Sequence, residues 1–218
     1  GGARIWGRSV DEFRRAAELL AAAPPRGVAV EVNLSCPNLE GRRGIFAHDP
    51  DLSAQVVAAT SACGRPRWAK LSPNTDRLVE IAAAVHEAGA DAVTLVNTLL
   101  GMALDPRTGR PALGAGGGGL SGRAIHPVAV RAVFDVHAAH PALPIVGVGG
   151  VASGWDAAEL LLAGASAVQV GTASFADPAA ARIVLAELVS WAASRGIDDL
   201  ASLTGRAHGD GLGGRRGT

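Results

Sequence analysis

Val28-Ala29-Val30-Glu31-Val32, followed at once by Asn33-Leu34-Ser35-Cys36-Pro37-Asn38, decides the fold. The first five residues are Val-rich, alternate in polarity and lie between Pro24-Pro25 and Pro37, the pattern of a buried strand. Two amides, a hydroxyl and a thiol then arrive within six residues. A buried strand that ends in a burst of polar groups delivers them to a site, and in barrels of alternating strands and helices that site is the C-terminal face. The plainer alternative for this stretch alone is a satisfied polar turn holding a small buried Cys.

The same unit repeats on the C-terminal side. Trp68–Leu71 reads as a strand ending in Ser72-Pro73-Asn74, and Asp91–Val96 as a strand ending in Asn97-Thr98. Pro144–Val148 ends in Gly149-Gly150, and Ala167–Val170 ends in Gly171-Thr172. Helical periodicity separates them: Leu78, Ile81, Ala82 and Val85; then Pro127–Ala138; then Trp155–Ala163, capped by Ser153; then about Asp177 to Ser194. Asp49-Pro50 opens a further helix as N-cap and first-turn proline, with Cys63 packed on its inner side. On the N-terminal side, Ser9-Val10-Asp11-Glu12 is a capping box, and Arg4-Ile5-Trp6-Gly7 reads as the end of a strand. Leu99–Gly122 shows no clear period, and the loop Leu39–His48 is expected to be mobile.

Strands alternating with helices at this pitch mean a parallel sheet. No Gly-rich turn follows the first strand, which argues against a dinucleotide-binding open sheet. Polar groups at successive strand ends argue for a (β/α)8 TIM barrel, which needs eight strands and typically about 250 residues. About six of the eight units are countable here, so the expectation is a barrel truncated at its N-terminus, spanning residues 1–204. Its two end strands would be open edges, making the chain alone aggregation-prone and weak in cofactor binding. Residues 205–218, Gly- and Arg-rich, are expected as a disordered tail.

Composition narrows the partners. The chain has 218 residues, 20 Lys plus Arg and 20 Asp plus Glu, for a formal charge of zero. That balance gives no support to nucleic acid or an anionic membrane as partner. No apolar run reaches a membrane span, and two Cys without a leader favour a reduced, cytoplasmic setting without a disulfide. No metal site is expected. The four Trp read as packing residues, and His48 and His126 as solvent-exposed residues beside loops.

Three local signals carry chemistry. Gly149-Gly150 and Gly171-Thr172 end adjacent strands with backbone N–H groups unobstructed by side chains, which suits a phosphate. Lys70 sits in an otherwise apolar strand and needs an anionic partner unless it reaches solvent at the strand end; a reduced, anionic flavin would serve. Asn97-Thr98 offers donors and acceptors without charge, as an amide-like heterocycle requires.

Asn33-Leu34-Ser35-Cys36-Pro37-Asn38, Lys70-Leu71-Ser72-Pro73-Asn74, Asn97-Thr98-Leu99-Leu100-Gly101-Met102, Gly118-Gly119-Leu120-Ser121-Gly122, Gly149-Gly150 and Gly171-Thr172 occur in one order and spacing. Over about residues 5–204 this resembles the class 1 dihydroorotate dehydrogenases, with Cys at position 36 rather than the Ser of class 2. The segment Asn97–Gly122 resembles subclass 1B. The resemblance implies FMN as cofactor and oxidation of dihydroorotate to orotate in pyrimidine biosynthesis. It also implies a homodimer core and an iron–sulfur flavoprotein electron-transfer subunit as partner. It implies Cys36 as general base, and FMN contacts from Asn33, Lys70, Val96, Gly122, Gly149, Gly150, Gly171 and Thr172. Asn33, Asn38, Asn97 and Thr98 would contact substrate. Two departures stand out: the N-terminal strands bearing the family's second Lys and an Asn-containing turn are not in this sequence, and Arg4 stands where the family has a small or amide residue. The remaining alternatives are a related flavin barrel that reduces a pyrimidine, like the corresponding domain of dihydropyrimidine dehydrogenase, and a fragment that only binds FMN or a partner chain.

Overall fold

The computed structural model describes residues 2–24, 27–35, 37–38, 44–209 and 212. Cys36 and most of the loop after it, residues 39–43, lie outside the described residues, as does the larger part of the C-terminal tail.

In chain order the elements are β1 (Ala3–Ile5), α1 (Val10–Ala21), β2 (Val30–Asn33), β3 (Pro37–Asn38), β4 (Gly44–Ile45), α2 (Pro50–Ala59), β5 (Arg67–Lys70), α3 (Leu78–Glu87), β6 (Ala92–Leu95), β7 (Leu99–Gly101), β8 (Gly118–Leu120), α4 (His126–Ala139), β9 (Ile145–Val148), α5 (Gly154–Ala163), β10 (Ala167–Gln169), α6 (Ala173–Ala176) and α7 (Ala180–Ala193). Six strands form one parallel sheet in the order β1-β2-β5-β6-β9-β10, each in register with the next. Spatial order follows chain order, so the sheet winds one way as a partial (β/α)8 barrel with its helices outside. Among the described residues, β1 and β10 are its two ends.

The expected helix starts hold. Ser9 Oγ accepts from Glu12 N at 3.1 Å, while the Glu12 carboxylate accepts from Arg8 N at 2.7 Å, one residue earlier than the usual reciprocal bond. Asp49 Oδ1 accepts from Leu52 N at 3.0 Å, and Ser153 Oγ from Asp156 N at 3.2 Å. Each cap removes an orphan N–H from a helix end that packs on the sheet.

Alternation along β2 sorts its side chains. Val30 and Val32 are fully buried in the main apolar cluster, which also holds Phe13, Phe46, Leu71, Ile81, Leu95 and Leu160. Phe13 and Phe46 meet edge to face at 5.5 Å. Burying each such side chain contributes about 1.5–3 kcal/mol. Glu31 and Asn33 have the opposite parity, so they stand on the other, concave face with Lys70. There the Gln169 side-chain amide donates to Glu31 Oε2 at 3.1 Å, from one end strand to β2 across the face of the sheet. That bond requires a curled sheet.

Three expectations change. The aperiodic segment Leu99–Gly122 contains an antiparallel hairpin, β7 with β8, Leu99 opposite Leu120. Its strands are three residues long and Gly-rich, too short to show alternation. The loop after β2 is not mobile throughout: Phe46 and Ala47 are fully buried, and Pro37 and Asn38 pair with Ile45 and Gly44. Residues 205–209, assigned to a disordered tail, are docked instead. Gly205 N donates to Leu161 O at 3.0 Å, and the His208 ring stacks on Phe134 at 3.9 Å.

The four Trp also divide: Trp155 and Trp191 pack together at 5.5 Å, whereas Trp6 is 56% exposed.

Candidate functional site

The C-terminal ends of β5, β6, β9 and β10 surround a cleft of about 480 Å³. Lys70, Val96, Asn97, Thr98, Gly122, Gly149, Gly150, Gly171 and Thr172 all line it, so residues chosen from motifs scattered over some hundred positions of sequence share one cavity. Volume and mixed lining suit a cofactor-sized ligand. Arg4 and Phe175 also line it, and neither was singled out as a binding residue.

The polar end is ordered by side-chain amides. Asn97 Nδ2 donates to Asn33 Oδ1 at 2.9 Å, while Asn97 Oδ1 accepts from Thr98 N at 2.9 Å. The second bond fixes which way the Asn97 amide faces, since a backbone N–H can only donate. Asn74 continues the chain: its Nδ2 donates to Thr98 O at 3.0 Å, and its Oδ1 accepts from Leu100 N at 2.9 Å. Asn33, Asn97 and Thr98 are therefore held by the ends of three strands and the start of the hairpin. Asn33 itself stands beside the cleft lining rather than in it.

The other end is glycine. Gly122, Gly149 and Gly150 have φ of 88°, 143° and 69°, conformations that side chains rarely adopt. A Cβ on Gly150 would come within 2.8 Å of Gly122 O, so the two turns touch backbone to backbone. Among the described residues, the N–H groups of Gly149, Gly150, Gly171 and Thr172 donate to no acceptor in the chain. Four such donors at adjacent strand ends fit an anion such as a phosphate. Gly171 differs from Gly150 in that a Cβ there would meet nothing within 4 Å.

Lys70 is buried, 7% exposed, and its Nζ lies 3.7 Å from Glu31 Oε1. Glu31, equally buried, also binds the Arg4 guanidinium at 2.8 Å and the Gln169 amide. Burial pulls the Lys70 ammonium below the ordinary lysine range; the facing Glu31 carboxylate opposes this and the Arg4 charge adds to it. The anionic partner that Lys70 requires is thus present in the protein as Glu31. A carboxylate at the strand position two before Asn33 was the signal for it, and alternation placed it on the same face. Two cations share one carboxylate, which leaves positive charge at the cleft for an anionic ligand.

His126 departs from expectation. It is 8% exposed rather than solvent-facing, with Nδ1 2.8 Å from Gly149 O and Nε2 3.3 Å from Glu159 Oε2. Asn38 is placed by its backbone in β3; Cys36 lies outside the described residues.

Known proteins match this chain closely. A family model described as dihydroorotate dehydrogenase matches residues 3–191. The catalytic subunit of dihydroorotate dehydrogenase B (NAD(+)) from Trichlorobacter lovleyi is 47% identical over 208 residues, covering 95% of this chain and 68% of that protein. The proteins of the same name from Geotalea daltonii and Anoxybacillus flavithermus are 45% and 40% identical, over 92% and 96% of this chain and 66% and 67% of their own lengths. The chain therefore spans about two thirds of the length of the curated relatives it matches.

Proposed function

The chain belongs to the dihydroorotate dehydrogenase family, a family of flavin-dependent oxidoreductases, and on that premise we propose that it forms the FMN-binding catalytic part of an enzyme that oxidises dihydroorotate to orotate. The observation that carries this reading is the cleft. The Lys70–Arg4 pair of cations, the Asn97–Thr98 edge and, among the described residues, four unpartnered N–H donors all belong to the lining of one cavity, a set that suits a flavin ring, a pyrimidine and a phosphate.

Each residue then has a role. Gly149, Gly150, Gly171 and Thr172 hold the phosphate with backbone N–H groups, and Gly122 keeps the approach open. Lys70 places its ammonium where negative charge gathers on a reduced ring. Val96 supplies an apolar wall. Asn33, Asn97 and Thr98 orient the pyrimidine and its carboxylate, and Asn38 is assigned to substrate by its motif. Cys36, as thiolate, takes the proton from carbon 5 of dihydroorotate. A thiol with an ordinary pKa near 8.5 is a competent base at neutral to alkaline pH. Bound FMN would supply the acceptor for the hydride leaving carbon 6, so that both C–H bonds break and the new double bond keeps the electron pair from carbon 5.

The relatives are named as catalytic subunits, which says that those proteins work with another subunit. We extend that to this chain: an iron–sulfur flavoprotein subunit that passes electrons towards NAD, around a homodimer of catalytic chains in the cytoplasm. Among the described residues no helix is long and apolar enough to cross a membrane.

The test is turnover of the purified, flavin-loaded protein with dihydroorotate against uracil. Flavin bleaching by dihydroorotate alone is expected, slowed by roughly two to four orders of magnitude in Cys36→Ala with FMN content unchanged. Reaction with uracil instead would favour a pyrimidine reductase, and a colourless protein would leave only a non-catalytic role.

A further inference from the structure

His126 belongs to none of the sites above and does not line the cleft, yet it touches the cleft's glycine turn from behind. It opens α4, and its ring is clamped between that turn and α5. A carbonyl oxygen only accepts, so the 2.8 Å contact means that Nδ1 carries a proton and donates to Gly149 O. On the opposite side of the ring, Nε2 meets Glu159 Oε2 at 3.3 Å and lies 4.0 Å from Asp156 Oδ1. Asp156 is itself fixed: its Oδ2 accepts from Ala152 N at 2.9 Å and its backbone is capped by Ser153. The ring is thus anchored to a rigid helix start and reaches across to one peptide group.

That peptide group matters because of its neighbour. The Gly149 carbonyl and the Gly150 N–H belong to one planar unit and point in opposite directions. Pinning the oxygen towards His126 aims the N–H away from it, and Gly150 lines the cleft. A Gly-Gly turn has no side chains to hold it and is the most conformationally free dipeptide available. His126 also packs against it directly, since a Cβ on Gly150 would meet the His126 Cβ at 2.7 Å.

We propose that His126 is a positioning residue that, braced by Glu159 and Asp156, holds the Gly149 carbonyl and so presents the Gly150 N–H to the cofactor phosphate. This rests on the placement of FMN given above. The consequence is a selective one: His126 strengthens binding of a phosphorylated flavin and is indifferent to riboflavin, which has the same ring and no phosphate.

The experiment is a fluorescence titration of apoprotein with FMN and, separately, riboflavin. It compares the unaltered protein with His126→Asn, His126→Gln and His126→Phe. Asn places its amide nitrogen where Nδ1 lies, whereas Gln reaches the Nε2 position and leaves Gly149 O without a donor. His126→Phe and His126→Gln are expected to lose roughly ten-fold in FMN affinity with riboflavin affinity unchanged, and His126→Asn to stay near the unaltered protein. Should His126→Phe fail to fold, the Asn and Gln pair carries the comparison. Equal FMN affinity in Gln and Asn variants would overturn the proposal, as would a parallel loss of riboflavin binding. An unaltered protein that shows no preference for FMN over riboflavin would overturn the phosphate placement and this inference together, and is told apart by needing no variant.

Discussion

The side chain of Asn97, on the residue pair that follows β6, donates to Asn33 Oδ1 at the end of β2, 2.9 Å away and across the intervening strand β5. This cross-strand amide bridge makes the polar edge of the cleft, proposed above to meet substrate, a single unit. Asn97→Asp would set an oxygen against Asn33 Oδ1 and retain the bond from Thr98 N. We expect orotate binding, read from the shift of the flavin spectrum, to weaken by about 10–100-fold, because a hydrogen bond at this part-buried contact gives way to two opposed oxygens. Unchanged orotate affinity would remove Asn97 from the substrate site.

The glycine turns offer a cleaner test at one position than at the other. A side chain on Gly150 collides with backbone and with His126, so any substitution there mixes misfolding with loss of binding. Gly171 has open space around its missing Cβ and an ordinary φ. Gly171→Asp should therefore fold with a normal melting temperature and purify without flavin, because its carboxylate repels the phosphate. Stoichiometric FMN in that variant would place the phosphate elsewhere.

Lys70 is held in a setting where burial outweighs the attraction of Glu31. A lysine pKa lowered in the fold opposes folding while the group stays charged; that penalty is relieved only as pH rises through the lowered value towards the unfolded one. Lys70→Met should then leave the melting temperature of the apoprotein at neutral pH unchanged or raised, since Arg4 and Gln169 still satisfy Glu31. The same variant should lose flavin affinity and slow flavin reduction. A large fall in apoprotein stability would make Lys70 a structural residue first.

Residues 205–209 should behave as part of the folded unit. Removing everything after Thr204 takes away the His208 ring from Phe134 and the bond from His208 Nε2 to Ala163 O. We expect the melting temperature to fall by a few degrees. Burial, and then the neighbouring His208, hold the His137 imidazole below its ordinary value of 6.5. A lowered histidine pKa costs stability as pH drops through the unfolded value, so the difference between the two proteins should narrow below about pH 6.5. Calorimetry across that range decides it.

How much of this the sequence disclosed depends on the range of the interaction. The six strands, their order and the cleft residues were legible because each is a local pattern: an apolar run, then polar groups or glycines at its end. The caps at Ser9, Asp49 and Ser153 were legible for the same reason. What stayed hidden was set by partners far along the chain. Glu31 acquires its role only from Arg4, Lys70 and Gln169 on three other strands. His126 looked exposed because a histidine beside a helix start usually is; its burial comes from α5, some thirty residues later. Tail residues 205–209 read as disordered by composition, yet Gly205 lies where a side chain would strike His137, so the glycine there serves packing.

The bond from Gln169 to Glu31 also bears on the order in which the molecule assembles. Its partners are 138 residues apart, the longest reach of any side-chain hydrogen bond described here. At a synthesis rate of 5–20 residues per second, Glu31 leaves the ribosome on the order of 10 s before Gln169 exists. Through that interval Glu31 Oε1 can already pair with Arg4, but Oε2 lacks its amide partner and keeps water at that point of the concave face. Closing so long a loop is the costliest ordering step and comes late. A nascent chain halted just before β10 should accordingly hold its outer helices and inner strands in place around a wet, exchanging interior, with amide protection appearing last where the end strand reaches back to the beginning.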